Sequence, residues 1–340
     1  MKKKKDSLTE EQGTETKDRK RFSKKKKALI ALVVLVFAAG IAVVGTMGGI
    51  GYFSYLSIDY VVEAPAVAED GSIMIMSANI RRQEKLFNFK KEDMGSHRWY
   101  KRAEVYLRNI DAVQPDILGA QEVQPGQYEF LTEHLRGYAS VVCYRDEDGS
   151  RSESCPIFYN LNRFDLLDSG TFWLSDTPDM PYTKFAGSDA IRISTFVKLR
   201  DKTNDMVIAV YNTHPDWSGV EARIKQLAVV AAKAKESDAD RVVVLGDLNS
   251  DRKLPGGNEG LESLEKDFLK DSKTFDTIVE NNYGDYATYH GYDIDPEAPL
   301  ALDYIFLPST TNVIKVGRMD EKYKGVYASD HYSIYAKVIF

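Results

Sequence analysis

Short apolar runs alternate with amphipathic segments along most of the chain, and this pattern predicts a layered fold of strands and helices. Ile73–Ile80 and Arg241–Leu248 have the length and β-branched content of buried strands. Helical spacing of apolar residues predicts helices near Ser96–Val113, Pro125–Leu135 and Val220–Ser237. We therefore expect an α/β or α+β fold. The other predicted strands are Asp116–Val123, Tyr138–Tyr144, Pro156–Asn160, Thr195–Leu199, Met206–His214, Asp303–Leu307 and His331–Phe340.

The N-terminal part of the chain differs from the rest in charge and hydropathy. Residues 1–27 hold twelve basic and five acidic side chains without apolar periodicity, which is typical of a disordered tail. Residues 28–58 hold no charged side chain. Their apolar part is long enough to cross a bilayer, for which about 20 residues suffice. Lys24–Lys27 precede this run, and basic flanking residues stay on the cytoplasmic side.

These observations predict a single-pass protein of the cell membrane with one N-terminal transmembrane helix. The predicted division is a basic cytoplasmic tail over 1–27, a signal-anchor over 28–56, a stalk over 57–70 and a folded domain over 71–340. A cleaved signal peptide is the alternative, although its apolar region would span only about 7–15 residues. Both alternatives place the folded domain outside the cytoplasm.

Composition and charge exclude several classes of protein. Hydrophobic residues make up 43% and charged residues 28%, which excludes collagen-like and wholly disordered chains. Two cysteines exclude a disulfide-rich scaffold. Because the basic charge is concentrated in the tail, residues 28–340 carry a net charge of −13. A protein that grips long nucleic acids usually presents a basic face instead.

Cys143 and Cys155 flank a turn-like segment centred on Gly149. If the two arms form a hairpin, the cysteines face each other, and a location outside the cytoplasm would permit a disulfide. Two free thiols are the alternative.

Polar residues of types that can bind metal ions or take part in catalysis stand where apolar strands begin or end. Taken alone, each fits a turn residue, a helix cap or a solvated charge. Their coincidence at six strands favours a common site, because strand ends at one edge of a layered sheet lie close together. The members of this group are Asn79, Glu122, Asn212, His214, Asp247, Asn249, Asp303, Asp330 and His331.

These residue types suit the cleavage of phosphate esters. Such chemistry needs a hard cation, a positioned water and donors for the phosphoryl oxygens. Asn and Glu oxygens suit Mg²⁺, whereas the group contains no Cys and no His pair with zinc-ligand spacing. His331 and Asp303 would form a histidine–carboxylate pair. The sequence contains neither a Gly-x-Ser-x-Gly elbow nor a phosphate-binding Gly-x-x-x-x-Gly-Lys loop.

Eight segments, in this order, resemble motifs of the endonuclease/exonuclease/phosphatase superfamily, the DNase I-like enzymes. They are SANIR, QEV, IFYN, GTFWLSDTPD, YNTHPD, GDLNS, LDYIFLP and SDHYSI, and they span roughly residues 72–340. The resemblance implies a four-layered sandwich of two mixed β-sheets flanked by helices, with the site at one edge. It also implies a Mg²⁺-dependent phosphoester hydrolase in which Mn²⁺ can substitute.

The resemblance further implies roles for individual residues. Asp247 would orient or deprotonate the attacking water, and His331 would stabilise the transition state or act as the base. The metal would be held by Asn79, Glu122 and Asp330. The catalytic group would comprise His214, Asp247, Asn249, Asp303 and His331. The substrate-binding candidates are Asn212, Arg192, Tyr159 and His290.

The substrate is left open at this point, as nucleic acid, nucleotide, phospholipid or polyol phosphate. The activity is correspondingly that of a nuclease, a phosphatase or a sphingomyelinase-like phosphodiesterase, and a membrane-anchored binding module without turnover is the alternative to an enzyme. The basic and aromatic loop that begins at Arg81 and Arg82 is either a substrate rim or a solvated loop that leads Trp99 into the core. No protein partner is inferred.

Overall fold

The computed structural model describes residues 57–83, 94–266, 269–292 and 300–340, together with a few single positions before residue 56. Nearly all of the predicted cytoplasmic tail and signal-anchor therefore lies outside the described residues. None of the helices in the described part has the length and apolar character that crossing a bilayer requires. The chain divides into two compact units, residues 1–57 and 58–340, and the second unit contains the fold described below.

Strands dominate this second unit, and the helices stand between them along the chain. The strands are β1 (Val62–Glu63), β2 (Ile73–Asn79), β3 (Ile117–Gln121), β4 (Leu135–Arg136), β5 (Tyr138–Val141), β6 (Ile157–Asn160), β7 (Phe164–Trp173), β8 (Ile193–Asp201), β9 (Val207–Thr213), β10 (Arg241–Asp247), β11 (Leu269–Asp271), β12 (Glu280–Asn282), β13 (Asp303–Pro308), β14 (Asn312–Met319) and β15 (Ser333–Ile339). The α-helices are α1 (Trp99–Val113), α2 (Pro125–His134), α3 (Val220–Lys235) and α4 (Gly257–Glu265).

The strands form two mixed sheets and a short parallel pair. One sheet has the order β12-β14-β15-β2-β3-β6-β5, the other has the order β11-β13-β10-β9-β8-β7, and β1 pairs with β4. The neighbours β2 and β3 are parallel, as are β9 and β10, whereas β15 and β13 run antiparallel to them. The ends of the four parallel strands and the starts of β13 and β15 therefore lie at one edge of the two sheets.

Four layers follow from where the apolar side chains are buried. The inner faces of the two sheets share one core, which includes Ile75 of β2 and Leu245 of β10. A second cluster fills the space between the six-stranded sheet and helices α3 and α4, with Leu227 fully buried. On the other side, the ring of Tyr128 in α2 lies 6.0 Å from the ring of Phe158 in β6. The predicted sandwich of two mixed sheets flanked by helices is confirmed.

The segment predicted as a stalk packs against this domain. Val62 in β1 is fully buried, and the pairing of β1 with β4 ties the segment to the end of α2. The carbonyl of Pro65 accepts a hydrogen bond from Nδ2 of Asn160 at 2.9 Å. The folded unit therefore begins at Ile58 rather than at Gly71, and most of the predicted stalk is part of it.

The two cysteines lie on the two arms of a hairpin. Tyr144 pairs with Ser154 in antiparallel register, which places Cys143 opposite Cys155. Both cysteines are free thiols, so the structure takes the second of the two alternatives that the sequence left open. Burial raises the pKa of Cys155 to about 12, which keeps this thiol protonated and unreactive at neutral pH.

Candidate active site

Eight of the residues that the sequence singled out meet at the edge where the parallel strands end. Asn79 is the last residue of β2 and Asp247 the last of β10, so the two come from different sheets. Glu122 directly follows β3, Asp303 opens β13, and His331 stands just before β15. The same edge also holds His214, Asn249 and Asp330.

Asn79 joins the two sheets at the centre of this group. Its Nδ2 donates to Oε1 of Glu122 at 3.1 Å and to Oδ2 of Asp247 at 2.9 Å. Its Oδ1 accepts a hydrogen bond from the backbone N–H of Arg81 at 2.9 Å. Since all three polar contacts are made inside the protein, the amide has one fixed orientation.

The three predicted metal ligands all contact the short segment that follows β2. The backbone N–H of Arg82 donates to Oε2 of Glu122 at 3.0 Å, and the Arg81 guanidinium forms an ion pair with Asp330. Although burial opposes ionisation, the Arg82 amide and the guanidinium groups of Arg81 and Arg82 hold the pKa of Glu122 well below its usual value. Glu122 also has a positive φ of 62°, a strained conformation that is most often seen at functional sites.

Asp247 lies between two histidines. Its Oδ2 is 3.4 Å from Nε2 of His214 and 3.6 Å from Nε2 of His331. Its Oδ1 accepts the backbone N–H of Asn249 at 3.0 Å. Burial raises the pKa of Asp247, since this carboxylate is taken out of water.

The two histidines beside Asp247 have opposite charge states at neutral pH. Nδ1 of His331 donates to Oδ2 of Asp303 at 2.8 Å. Burial alone would lower the pKa of His331, but Asp303 and Asp247 raise it to about 10. For His214, burial and the nearby Arg192 lower the pKa to about 4. The site therefore pairs an imidazolium with a neutral imidazole.

The turn after β10 depends on residue types that tolerate positive φ. Gly246 has φ +146°, and a Cβ at this position would lie 1.9 Å from the carbonyl oxygen of Thr213 on the neighbouring strand. Only glycine fits here. Asn249 has φ 50°, which Asn tolerates better than most residues, and its Nδ2 donates to the Pro215 carbonyl at 3.0 Å.

Asp216 fixes the loop that follows His214. Its carboxylate accepts hydrogen bonds from Oγ of Ser188 at 2.8 Å, the N–H of Asp189 at 2.7 Å and the N–H of Gly219 at 2.8 Å. Despite burial, these bonds lower the pKa of Asp216 to about 2. The unusual Pro-Asp-Trp sequence after His214 thus keeps a tightly held loop.

Asn212 and Tyr159, both predicted to bind substrate, are buried between the two sheets. Asn212 is fully buried between the sheets; its Nδ2 donates to two backbone carbonyls, and its Oδ1 accepts from Nε2 of Gln121 at 2.8 Å. No polar atom of this amide is left for a ligand. Tyr159 belongs to the inner core and pairs with Ile117, at the opposite end of β3 from Glu122.

His290 contacts the segment that carries Asp330 and His331. Its backbone N–H donates to the carbonyl of Asp330 at 3.0 Å, and its ring lies 4.3 Å from the ring of Tyr332. Burial lowers the pKa of His290 to about 4. These contacts position the segment that carries Asp330 and His331, and the substrate-binding role of His290 stays a prediction.

Arg192 does reach the site, because it lines a small cavity together with Glu122 and His214. Arg145 and Glu153, which form an ion pair of 2.6 Å, line the same cavity. Sequence reasoning missed this pair, because both residues lie in the hairpin that contains the cysteines and belong to none of the eight motifs. The one sequence feature that could have indicated this ion pair is an arginine on one arm of the predicted hairpin and a glutamate on the other.

The basic loop after β2 lies only partly within the described residues. Trp99 is 2% exposed, and its ring makes an edge contact of 5.7 Å with Phe130, so Trp99 belongs to the core. Most of the loop, residues 84–93, lies outside the described residues.

Comparisons with known proteins agree with this arrangement. The sequence profile described as "Endonuclease/Exonuclease/phosphatase family" matches residues 76–331. Protein angel of Drosophila melanogaster is 26% identical over 190 residues, which cover 53% of this chain and 52% of that protein. An uncharacterized protein of Acanthamoeba polyphaga mimivirus is 27% identical over 195 residues, 55% of this chain and 65% of the viral protein. The chain thus spans between half and two thirds of these relatives.

Solved structures share the fold over most of the chain. An endonuclease/exonuclease/phosphatase from Bacteroides vulgatus is 27% identical, with a TM-score of 0.69 over 79% of this chain and 99% of the other. The TDP2 protein of D. rerio, complexed with a single-strand DNA product, is 18% identical and shares the fold with a TM-score of 0.59 over 80% of this chain and all of the other. The chain belongs to the endonuclease/exonuclease/phosphatase family.

Proposed function

We propose that this enzyme is a Mg²⁺-dependent hydrolase in which water attacks the phosphorus atom of a small phosphate ester. The observation that carries the proposal is the position of Asp247 between a neutral and a charged histidine, beside a set of oxygen ligands. The acidic charge of residues 28–340 favours a nucleotide, a polyol phosphate or a lipid headgroup over long nucleic acid.

The donor set fits a hard divalent cation. Glu122 supplies carboxylate oxygens and stays ionised because its pKa is lowered. Nδ2 of Asn79 faces this carboxylate, so the amide would have to turn over to offer its oxygen to the same cation, and Asp330 would join from its place beside Arg81. Mg²⁺ prefers such ligands, with one or two carboxylates and several waters. When bound, it would polarise a phosphoryl oxygen as a Lewis acid. Asp247, Asp303 and His331 form a tighter group, within 4.8 Å, but Nδ1 of His331 is already bonded to Asp303, which suits proton chemistry better.

The chain's own residues account for the remaining steps. Asp247 accepts the proton of the attacking water, and its raised pKa brings it closer to the operating pH of a general base. His214 and Asn249 hold the phosphoryl group in line with that water. His331, kept charged by Asp303, donates a hydrogen bond to the oxygen on which negative charge develops. The bond from phosphorus to the leaving oxygen breaks as the bond to water forms.

The test is a substrate panel with wild type and Glu122→Gln. With Mg²⁺ or Mn²⁺ present, we expect hydrolysis of at least one ester among nucleotides, inositol phosphates, sphingomyelin, RNA and DNA, and no hydrolysis after chelation. At limiting Mg²⁺, Glu122→Gln should lower activity by at least about 100-fold, since even the outer partners of metal ligands contribute 10- to 100-fold. Raising Mg²⁺ should restore part of this loss.

Glu221→Gln is the matched control for this substitution. It makes the same chemical change on the exposed first turn of α3, and its activity should equal that of wild type. If wild type and Glu122→Gln are equally inert on every ester of the panel, or equally active in chelator, the proposed mechanism is wrong.

We also propose that the enzyme is anchored in the cell membrane, with its catalytic domain outside the cytoplasm. Support comes from the uncharged run over 28–58 directly after Lys24–Lys27. The full chain should sediment with membranes and resist extraction by carbonate, and external protease should remove the domain from intact cells. A domain that is released into the soluble fraction, or that is protected from protease, would contradict this topology.

A further inference from the structure

The cavity beside His214 contains a buried cation, Arg192, that lies near the carboxylates of Glu153, Asp216 and Glu122 without pairing directly with any of them. Arg192 is 7% exposed, and its Nε has no hydrogen-bond partner. Among the described residues, its guanidinium forms no ion pair and donates no hydrogen bond. A buried charge without a partner is strongly unfavourable, unless a ligand supplies the opposite charge. An anionic ligand atom in the cavity would supply the direct partner that Arg192 lacks.

Arg145 and Glu153 in the cavity wall are already paired. Glu153 accepts from Arg145 at 2.6 Å and from Arg82 at 3.4 Å, so its carboxylate is shared between two other guanidinium groups. Arg145 also lies 3.4 Å from Asp146. Within the described part of the wall, Arg192 is thus the cation that is left for a ligand.

The size of the cavity limits what can enter it. Its free volume is about 10 Å³, which holds one group of the size of a water oxygen. Glu122 and His214 stand at its reaction side. Ser154, Cys155 and Ile193 also line the cavity and are between 1% and 4% exposed. A single terminal oxygen fits this space.

We propose that this cavity binds a terminal oxygen of the reacting phosphate, with Arg192 as its donor, and that the enzyme consequently prefers phosphate monoesters to phosphodiesters. The inference rests on the proposed function and deepens it by naming the class of substrate. It places Arg192 with His214 at one phosphoryl oxygen, and the proposed mechanism has two other such positions, one beside Glu122 and one beside His331.

The number of terminal oxygens then decides between the two classes. A monoester has three terminal oxygens and can fill all three positions. A diester has only two, so it leaves either Arg192 or another position without an oxygen. Because charged hydrogen bonds in a buried site are the strong ones, the unfilled position is a large loss.

Binding without turnover gives the first test. Inorganic phosphate and dimethyl phosphate are titrated calorimetrically into the full chain in Mg²⁺ buffer. We expect phosphate to bind at least about tenfold more tightly than dimethyl phosphate, as a charge-assisted hydrogen bond predicts. Arg192→Met should weaken phosphate binding by about 10- to 100-fold and change dimethyl phosphate binding by less than about threefold.

The second test compares the turnover of a monoester and a diester that share the same leaving group. Wild type should have a higher kcat/KM on p-nitrophenyl phosphate than on methyl p-nitrophenyl phosphate, and Arg192→Met should remove most of that preference. Arg192→Lys keeps the positive charge and should keep part of the preference for the monoester. Arg200→Met removes one positive charge from an exposed side chain near the end of β8 and should leave the preference unchanged.

The outcomes separate this inference from the proposed function. Equal affinity of wild type for phosphate and dimethyl phosphate, or equal kcat/KM on the two esters, overturns the monoester preference even if the enzyme is active. If neither ester is hydrolysed but phosphate binds through Arg192, the cavity assignment holds and the hydrolytic mechanism fails. Should Arg192→Met not fold, as circular dichroism would show, the wild-type comparison and Arg192→Lys still decide.

Discussion

Replacing Asp247 with asparagine is expected to lower kcat by about 10³- to 10⁴-fold, the upper part of the range for a positioned general base. Asparagine has nearly the same volume and can still accept the N–H of Asn249, so the turn after β10 should persist. It has no charge and no basic site for the proton of water. It also removes one of the two carboxylates that keep His331 protonated.

The measurement is kcat on whichever ester of the panel wild type hydrolyses, together with the melting temperature. Asp238→Asn is the matched control, because this carboxylate is exposed and pairs with Lys198 at the surface of the domain. A loss of less than about tenfold for Asp247→Asn would contradict its role as the base, given the size of such effects. A large fall in melting temperature would instead show that Asp247 supports the fold.

Most of the fold could be predicted because its central strands are buried on both faces. The strands β2, β3, β9 and β10 are continuous apolar runs, and the predicted ends differ from the observed ones by one or two residues. The edge strand β7 was missed, because Leu166 and Leu167 are exposed and a bulge interrupts the alternation. Helix α4 was missed as well, since it contains two glycines and depends on packing against α3.

Site residues could be predicted where the end of a strand brings them to the edge of the sheet. They could not be predicted where the direction of the side chain determines whether the residue faces the site or the core. Asn79, Glu122 and Asp247 follow from strand ends alone. Tyr159 lies in a motif, but it is at the far end of the sheet from Glu122. Asn212 is two residues from His214, and its amide is fully occupied in joining β9 to the opposite sheet.

The protonation states of the two histidines could not be predicted from the sequence either, because they depend on which side chains the fold places beside each ring. His214 and His331 are the same residue type at the same edge, yet their pKa values are shifted in opposite directions. Burial acts on both, so the difference comes from the neighbours. Arg192 stands beside His214, whereas Asp303 is bonded to His331. Arg192 and His214 come together only through the pairing of β8 with β9, which requires the folded sheet.

The bond between His331 and Asp303 predicts a non-additive pair of mutations. His331→Gln should lower kcat by about 10²- to 10³-fold, the loss typical of one donor to a developing negative charge. Asp303→Asn should have a similar effect, because it no longer holds the imidazolium or its orientation. The backbone N–H of Asp303 bonds Oγ1 of Thr288, and this contact stays intact in either variant.

The double variant decides how Asp303 acts. If Asp303 works only through His331, the double variant should be no slower than His331→Gln alone, since residues that act as a unit are not additive. If the two losses multiply, Asp303 has a function of its own, and the cluster of Asp247, Asp303 and His331 ligand atoms within 4.8 Å would then be better explained as a second cation site. Since the cycle compares ratios of kcat on one ester, it separates a proton-holding pair from a metal-holding one whatever organic group the substrate carries.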